Sequence, residues 1–312
     1  MASVGSILGG AFGLLRERPG TVAIWAVTYC VGSLVISLVS NLALFGTVMP
    51  VGADAARVMQ AWMGPMASLI LLLYLGMLLL TVVLMNAVFR AMLRPQEGGF
   101  AFMRLGMDEF RMMGLVVLAY IAAFVASLVG WLLVLLVTMV FGFVLGAGVV
   151  TAIVGFLLFV GFICALIWAQ VRLSLIFPLS FYRSRITIDG AWDLTRGRFW
   201  LLFGSYFVVG LIFVVAGLVL FSFTMGDYFA ALMQAHGDPD QTRLAGEAFA
   251  AKQFDMPLTT RILFGVIGAV FFAIALALGP GLLASATREL LGLSDEDEAA
   301  VFAAESDGSV MD

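Results

Sequence analysis

Charged residues are so widely spaced along this chain that the gaps between them mark out its elements. Uncharged, mostly apolar stretches cover residues 19–53, 58–89, 112–171, 199–226 and 262–287, with lengths of 35, 32, 60, 28 and 26. A helix needs about 20 residues to cross the hydrocarbon core of a bilayer. Four stretches therefore predict one crossing each, and the longest predicts two, with a turn where Gly142, Gly146 and Gly148 punctuate the pattern. The predicted spans are 22–48, 66–89, 114–140, 149–171, 201–225 and 262–284.

The alternation that a membrane β-barrel strand requires is absent from LILLLYLGMLLLTVVLM at 69–85, which is apolar on every side. Helices satisfy their own backbone groups in lipid, so the pattern predicts an all-α polytopic membrane protein. Composition agrees. The 312 residues are 63% hydrophobic and carry 16 basic and 20 acidic side chains, too few to clothe a soluble domain. In MASVGSILGGAFGLLRERPG the arginines follow the apolar stretch, the reverse of a secretory signal, so the first long run is expected to stay in the membrane.

Placing the N-terminus inside puts 12 basic residues in the inner segments and 4, Arg57, Arg243, Lys252 and Arg261, in the outer ones. By the positive-inside rule both termini are expected on the cytoplasmic side. A net charge of −4 offers no footprint for nucleic acid.

The segments preceding the odd-numbered spans share a character. GAFGLLRER at 10–18 and GAWDLTRGR at 190–198 match in register at an offset of 180, and FAFMRL at 100–105 falls halfway with displaced arginines. Short segments mixing aromatics and arginine suit helices lying in the interface, which suggests a threefold arrangement of interfacial helix plus hairpin over 1–93, 95–171 and 185–288. These form one membrane domain, 1–288, followed by an acidic tail, 289–312. The tail is expected to begin with a short helix near Ser294 and to lose order beyond Ala304. In the outer segment 227–261, Thr242 to Phe254 predicts a short amphipathic helix behind the start signal Asp238-Pro239-Asp240.

Chemistry is sparse. Cys30 and Cys164 lie in apolar runs and predict small buried hydrophobes, and His236 has no second histidine with which to share a metal. No catalytic grouping, metal site or cofactor motif emerges, and the expectation is a protein that is not an enzyme. Asn86 and Gln170, near the inner ends of even-numbered spans, predict interhelical hydrogen bonds.

The inner arginines are the strongest polar feature. Arg172, Trp192, Arg196 and Arg198 are the candidate lipid-headgroup contacts, because guanidinium forks match phosphate geometry. Snorkelling and positive-inside anchoring account for the same arginines without a ligand. Pro178 is expected to end or bend the fourth span, Asp193 and Arg196 to pair at i,i+3, and Gly279-Pro280-Gly281 to break the last span.

Arg172 to Pro178 together with AWDLTRGRFWLLFG at 191–204 resembles a bacterial family. It comprises the membrane domain attached to some glycerophosphodiester phosphodiesterases and the related stand-alone YciC-like inner-membrane proteins. The specific likeness covers 170–204 and falls on Arg172, Pro178, Trp192, Leu194, Gly197, Arg198 and Phe199. It implies about six spans in a bacterial cytoplasmic membrane and no settled activity. Two functions are expected from the whole: binding or handling of a phospholipid or other amphipathic small molecule at the inner leaflet, or a structural role in a membrane complex. The latter would involve a homo-oligomer or a membrane-protein partner, through glycines such as the Gly142/Gly146 pair, Gly76, Gly130, Gly155, Gly161, Gly210 and Gly217.

Overall fold

The computed structural model describes residues 2–45, 55–96, 99–146, 148–254 and 256–293, and the acidic run from Ser294 onward lies outside the described residues. Six helices are long and apolar enough to cross a membrane: α2 (Pro19–Phe45), α3 (Ala55–Leu93), α4 (Met107–Leu145), α5 (Val149–Leu173), α8 (Phe199–Ala235) and α10 (Leu258–Leu291). Four shorter helices join them: α1 (Val4–Glu17), α6 (Ile176–Tyr182), α7 (Ile188–Thr195) and α9 (Pro239–Phe254). No strand occurs among the described residues.

The predicted spans fall inside these helices except the first, whose last residues lie outside the described part, and most helices overrun them. At 1.5 Å per residue the 39 residues of α3 reach about 58 Å, nearly twice the hydrocarbon thickness. Hydropathy marks where lipid ends, whereas a helix continues until its backbone ladder is broken. For α8 that happens ten residues beyond the predicted end, at His236 and Gly237, both left-handed with φ of 48° and 84°. The turn between α4 and α5 sits where the glycines predict it. Gly146 takes φ 82°, and its carbonyl accepts from the hydroxyl of Thr151 at 2.8 Å.

Three departures from the expected pattern have plain causes. Gly279-Pro280-Gly281 does not break the last span; α10 runs through the half-buried Pro280, and the buried Leu278, Leu282 and Ala284 around it pack against neighbouring helices that hold it in place. Between α3 and α4 the chain forms only a 3₁₀ turn, Phe100–Phe102, rather than an interfacial α-helix. Its carbonyls are held from below: Trp25 Nε1 donates to Ala101 at 2.9 Å and Arg90 Nη1 to Phe102 at 2.6 Å. Cys164 is exposed on α5, not buried, and Cys30 on α2 is half-buried.

The packed core lies at the end of the bundle that carries most arginines. Its clusters draw on the start of α1 and α2, Val82–Leu93 of α3, Met112–Val116 of α4, Val171–Phe181 of α5 and α6, Leu202–Val209 of α8 and the second half of α10. Toward the other end the helices present apolar side chains outward. On α4, Leu132, Leu133, Leu136 and Met139 are all exposed, and on α8 so are Val214, Val215, Leu218 and Val219. Lipid is as apolar as leucine and does not drive helices together. Association is therefore concentrated where polar groups and short helices bind the spans to one another.

The glycines follow the same logic. A Cβ at Gly32 would meet Leu80 at 2.7 Å, at Gly130 the Phe162 ring at 2.1 Å, and at Gly155 Thr138 at 3.0 Å, so these three serve contacts within the α2/α3 and α4/α5 hairpins. Gly146 belongs to the turn rather than to a helix-packing pair with Gly142.

Candidate functional site

Helix α1 is amphipathic, and its apolar stripe of Ile7, Ala11 and Leu14 is buried against the bundle. Its N-terminus is closed by Ser3, whose hydroxyl accepts from Ser6 N at 3.0 Å. Docking onto α10 is close: Ser285 Oγ donates to the Ile7 carbonyl at 2.9 Å, and a Cβ on Gly10 would fall 2.2 Å from that oxygen. Only glycine fits there.

Beside this contact opens a groove of about 950 Å³ between α1, the last turns of α10 and the arginine-bearing end of α3. Gly9 and Gly13 are among its lining residues, together with the charged Arg18, Arg198, Arg288, Glu17 and Glu289. Apolar surface comes from Leu14, Met92 and Leu290. Arg18 is positioned by its donation to the Ala91 carbonyl at 3.3 Å and by the Phe102 ring, 4.9 Å from its guanidinium. Arg288 lies in the last turn of α10, where Gly292 at φ 70° ends the helix and Nε donates to the Leu293 carbonyl at 3.4 Å. The result is a mainly polar cleft with three guanidiniums and two carboxylates, and a smaller apolar share.

Of the residues singled out from sequence, Arg198 alone lines this groove. Arg172 and Trp192 are brought together elsewhere. The Arg172 guanidinium sits 4.7 Å from the Trp192 ring and 5.6 Å from that of Trp168, while the two indoles meet edge to face at 5.5 Å. Its Nη1 donates to Thr195 Oγ1 at 3.3 Å, and the Thr195 hydroxyl is itself within 3.2 Å of the Arg172 carbonyl. This cation closes the C-terminal end of α7 and pins that helix to the end of α5. Arg196 is exposed outside the groove. The expected Asp193–Arg196 pair is not formed among the described residues, because α7 stops at Thr195 and Arg196 is extended, with ψ 127°. Gly197 at φ 74° then turns the chain toward α8.

Pro178 does bend the path: α5 ends at Leu173 and α6 starts at Ile176. Neither predicted amide makes its interhelical hydrogen bond. Gln170 is exposed, and Asn86 is completely buried with no partner for Oδ1 or Nδ2 among the described residues.

The strongest polar assembly was not apparent from sequence. Arg90 Nη2 and Glu109 Oε1 lie 2.6 Å apart, each side chain 2% exposed, and Glu109 Oε2 accepts from Gly106 N at 2.8 Å. One turn on, Arg94 donates to the Phe181 and Tyr182 carbonyls at 2.8 and 3.0 Å and to Ser184 Oγ at 2.6 Å. It also lies 3.5 Å from Asp108, which pairs with Arg111 at 3.1 Å. The signal available was the Asp108-Glu109 doublet in the first turn of α4, where carboxylates are favoured. Among the described residues no three His, Cys, Asp or Glu side chains gather closely enough to share a metal ion. Comparison of the chain with protein families, curated proteins and solved structures finds no match.

Proposed function

We propose that this multi-pass membrane protein binds a phosphate-bearing amphipathic molecule, a phospholipid or lipid-linked compound, in the groove between α1 and the end of α10. The observation that carries the proposal is the gathering of three guanidiniums, with Leu14, Met92 and Leu290 beside them, in one open cleft of about 950 Å³. Arginine suits phosphate through paired donors, and Gly9 and Gly13 in the lining lack side chains that would keep a headgroup from the α1 backbone. The likeness of residues 170–204 to a bacterial inner-membrane family, and the arginine bias toward this end, support a site at the cytoplasmic leaflet. Binding rather than chemistry is the proposed role.

Arg198→Gln and Arg196→Gln provide the test, since they remove the same charge a few ångströms of chain apart and only Arg198 lines the groove. Full-length protein in phosphatidylcholine nanodiscs doped with phosphatidylglycerol would be weighed by native mass spectrometry for retained anionic lipid. Arg198→Gln is expected to lower retention several-fold and Arg196→Gln to leave it within twofold. Equal effects would mean general attraction to the leaflet and would overturn the groove assignment.

A second reading, a structural role through self-association, rests on Gly210 and Gly217 of α8. They are seven residues apart on one helical face, and a Cβ at either would meet nothing within 4 Å. A strictly monomeric mass in mild detergent and in nanodiscs would remove this reading.

A further inference from the structure

A second cavity lies at the opposite end of the bundle. Helix α9 folds back over the end of α8, started by Asp238, whose carboxylate accepts from Asp240 N at 2.9 Å ahead of Pro239. It is held by Phe249, 5.0 Å from the Tyr228 ring, and by an ion pair between Lys252 Nζ and Asp227. Beneath it, α8, α9 and the start of α10 border a half-open cavity of about 610 Å³. Its lining is more apolar than polar, with four aromatic rings, Phe223, Tyr228, Phe249 and Phe264, and it includes both members of the Asp227–Lys252 pair.

The depth of this cavity follows from the helix. Trp200, 77% exposed, begins α8 at the arginine-rich end. From Trp200 to Asp227 the helix rises about 40 Å at 1.5 Å per residue, which equals the thickness of a bilayer including both headgroup layers. Trp200 and Tyr228 thus stand in opposite aromatic belts, and the ion pair lies at headgroup level. Its side chains are exposed, 66% for Lys252 and 87% for Asp227, and such a pair contributes little, so little is lost when it opens.

We propose that this cavity is a binding site for a zwitterionic phospholipid of the phosphatidylethanolamine type in the far leaflet. The lipid's ammonium meets Asp227, its phosphate meets Lys252, and acyl chain fills the aromatic pocket under α9. One protein ion pair is exchanged for two across the same gap, with opposite charges matched at both ends of the headgroup. A primary ammonium donates hydrogen bonds to the carboxylate, which a quaternary one cannot. An anionic headgroup lacks a partner for Asp227 and is repelled by it. The site is separate from the arginine groove and does not depend on it.

Full-length protein in phosphatidylcholine vesicles, each containing a small fraction of one diazirine-tagged lipid, would be irradiated and the labelled peptides mapped. The tagged lipids are phosphatidylethanolamine, phosphatidylcholine and phosphatidylglycerol. The ethanolamine probe is expected to label peptides spanning 223–228 and 249–264 several-fold above the other two. Asp227→Asn should remove that preference, Thr260→Trp should lower labelling by all probes by filling the pocket, and Asp227→Lys with Lys252→Asp should keep the preference because an ion pair remains. Equal labelling by ethanolamine and glycerol probes, no change in Asp227→Asn, loss in the swapped variant, or pocket labelling no greater than along α4 would each overturn the proposal. Labelling near Arg198 in the same maps reports on the arginine groove, so the two sites succeed or fail separately.

Discussion

Glu109 reaches back from the first turn of α4 to meet Arg90 on α3 at 2.6 Å, with both side chains 2% exposed. Every charged atom of the carboxylate is used, since its other oxygen accepts from Gly106 N. Arg90 extends the linkage to the Phe102 carbonyl and to the Phe181 ring, whose centroid is 5.6 Å away. Three segments distant in sequence are thereby tied at one point.

Removing one partner of this pair leaves a buried charge uncompensated, which costs about 3–5 kcal/mol. Glu109→Gln and Arg90→Gln are each expected to lower unfolding stability by that amount, read by denaturant titration in mixed micelles. The double variant should be less destabilised than the sum of the two.

Asn86 predicts the opposite sign. Its amide is fully buried without a partner among the described residues, one helical turn from Arg90. An unsatisfied buried polar group costs about 1–3 kcal/mol, so Asn86→Leu, close in volume, is expected to raise the thermal midpoint. A lowered midpoint would reveal that the amide bonds an internal water.

At Gly10 the expected effect is steric. The Cβ of Gly10→Ala would lie 2.2 Å from Ser285 Oγ and 3.0 Å from its Cβ, a clash between short, stiff groups. Overpacking of this kind costs about 1–3 kcal/mol, and protease cleavage within residues 4–18 should accelerate. Ser285→Gly on the same chain is expected to recover part of the loss.

The cage around Arg172 makes α7 sensitive to a conservative change. Lysine cannot stack between Trp168 and Trp192 while donating sideways to Thr195. Arg172→Lys should cost about 1 kcal/mol and increase hydrogen exchange over 188–195 while leaving α8 protected.

Orientation is checked with single cysteines in a chain whose Cys30 and Cys164 are replaced by alanine. Gln234→Cys, exposed near the end of α8, is expected to react with a membrane-impermeant maleimide from outside intact cells. Arg185→Cys, exposed at the arginine-rich end, should react only after lysis.

The six membrane-crossing helices and the turn at Gly146 were legible because lipid imposes a crude rule: long uncharged runs, broken by glycine. Where helices stop was less legible, since Asp227 ends the apolar run without ending the backbone ladder. Side-chain partners were harder still. Arg172 and Trp192 stack on one another, whereas Arg198, beyond the Gly197 turn, lines the groove beside α1. Arg90 and Glu109 stood 19 positions apart among other charges, and nothing local distinguishes that pair from its neighbours. The groove brings α1 against the end of α10, a relation no window along the sequence contains.

The bond from Ser285 to Ile7 spans 278 positions and fastens α1 to α10, the first and last of the described helices. A nascent chain leaving the ribosome can cover α1 with α2, α3, α5, α6 and α8 as they emerge, but the α10-facing side of its oily stripe stays uncovered until α10 has been inserted. The contact between α1 and α10 is therefore made late, and a product truncated before residue 285 would expose that side of α1 to the chaperones and proteases that patrol the membrane surface.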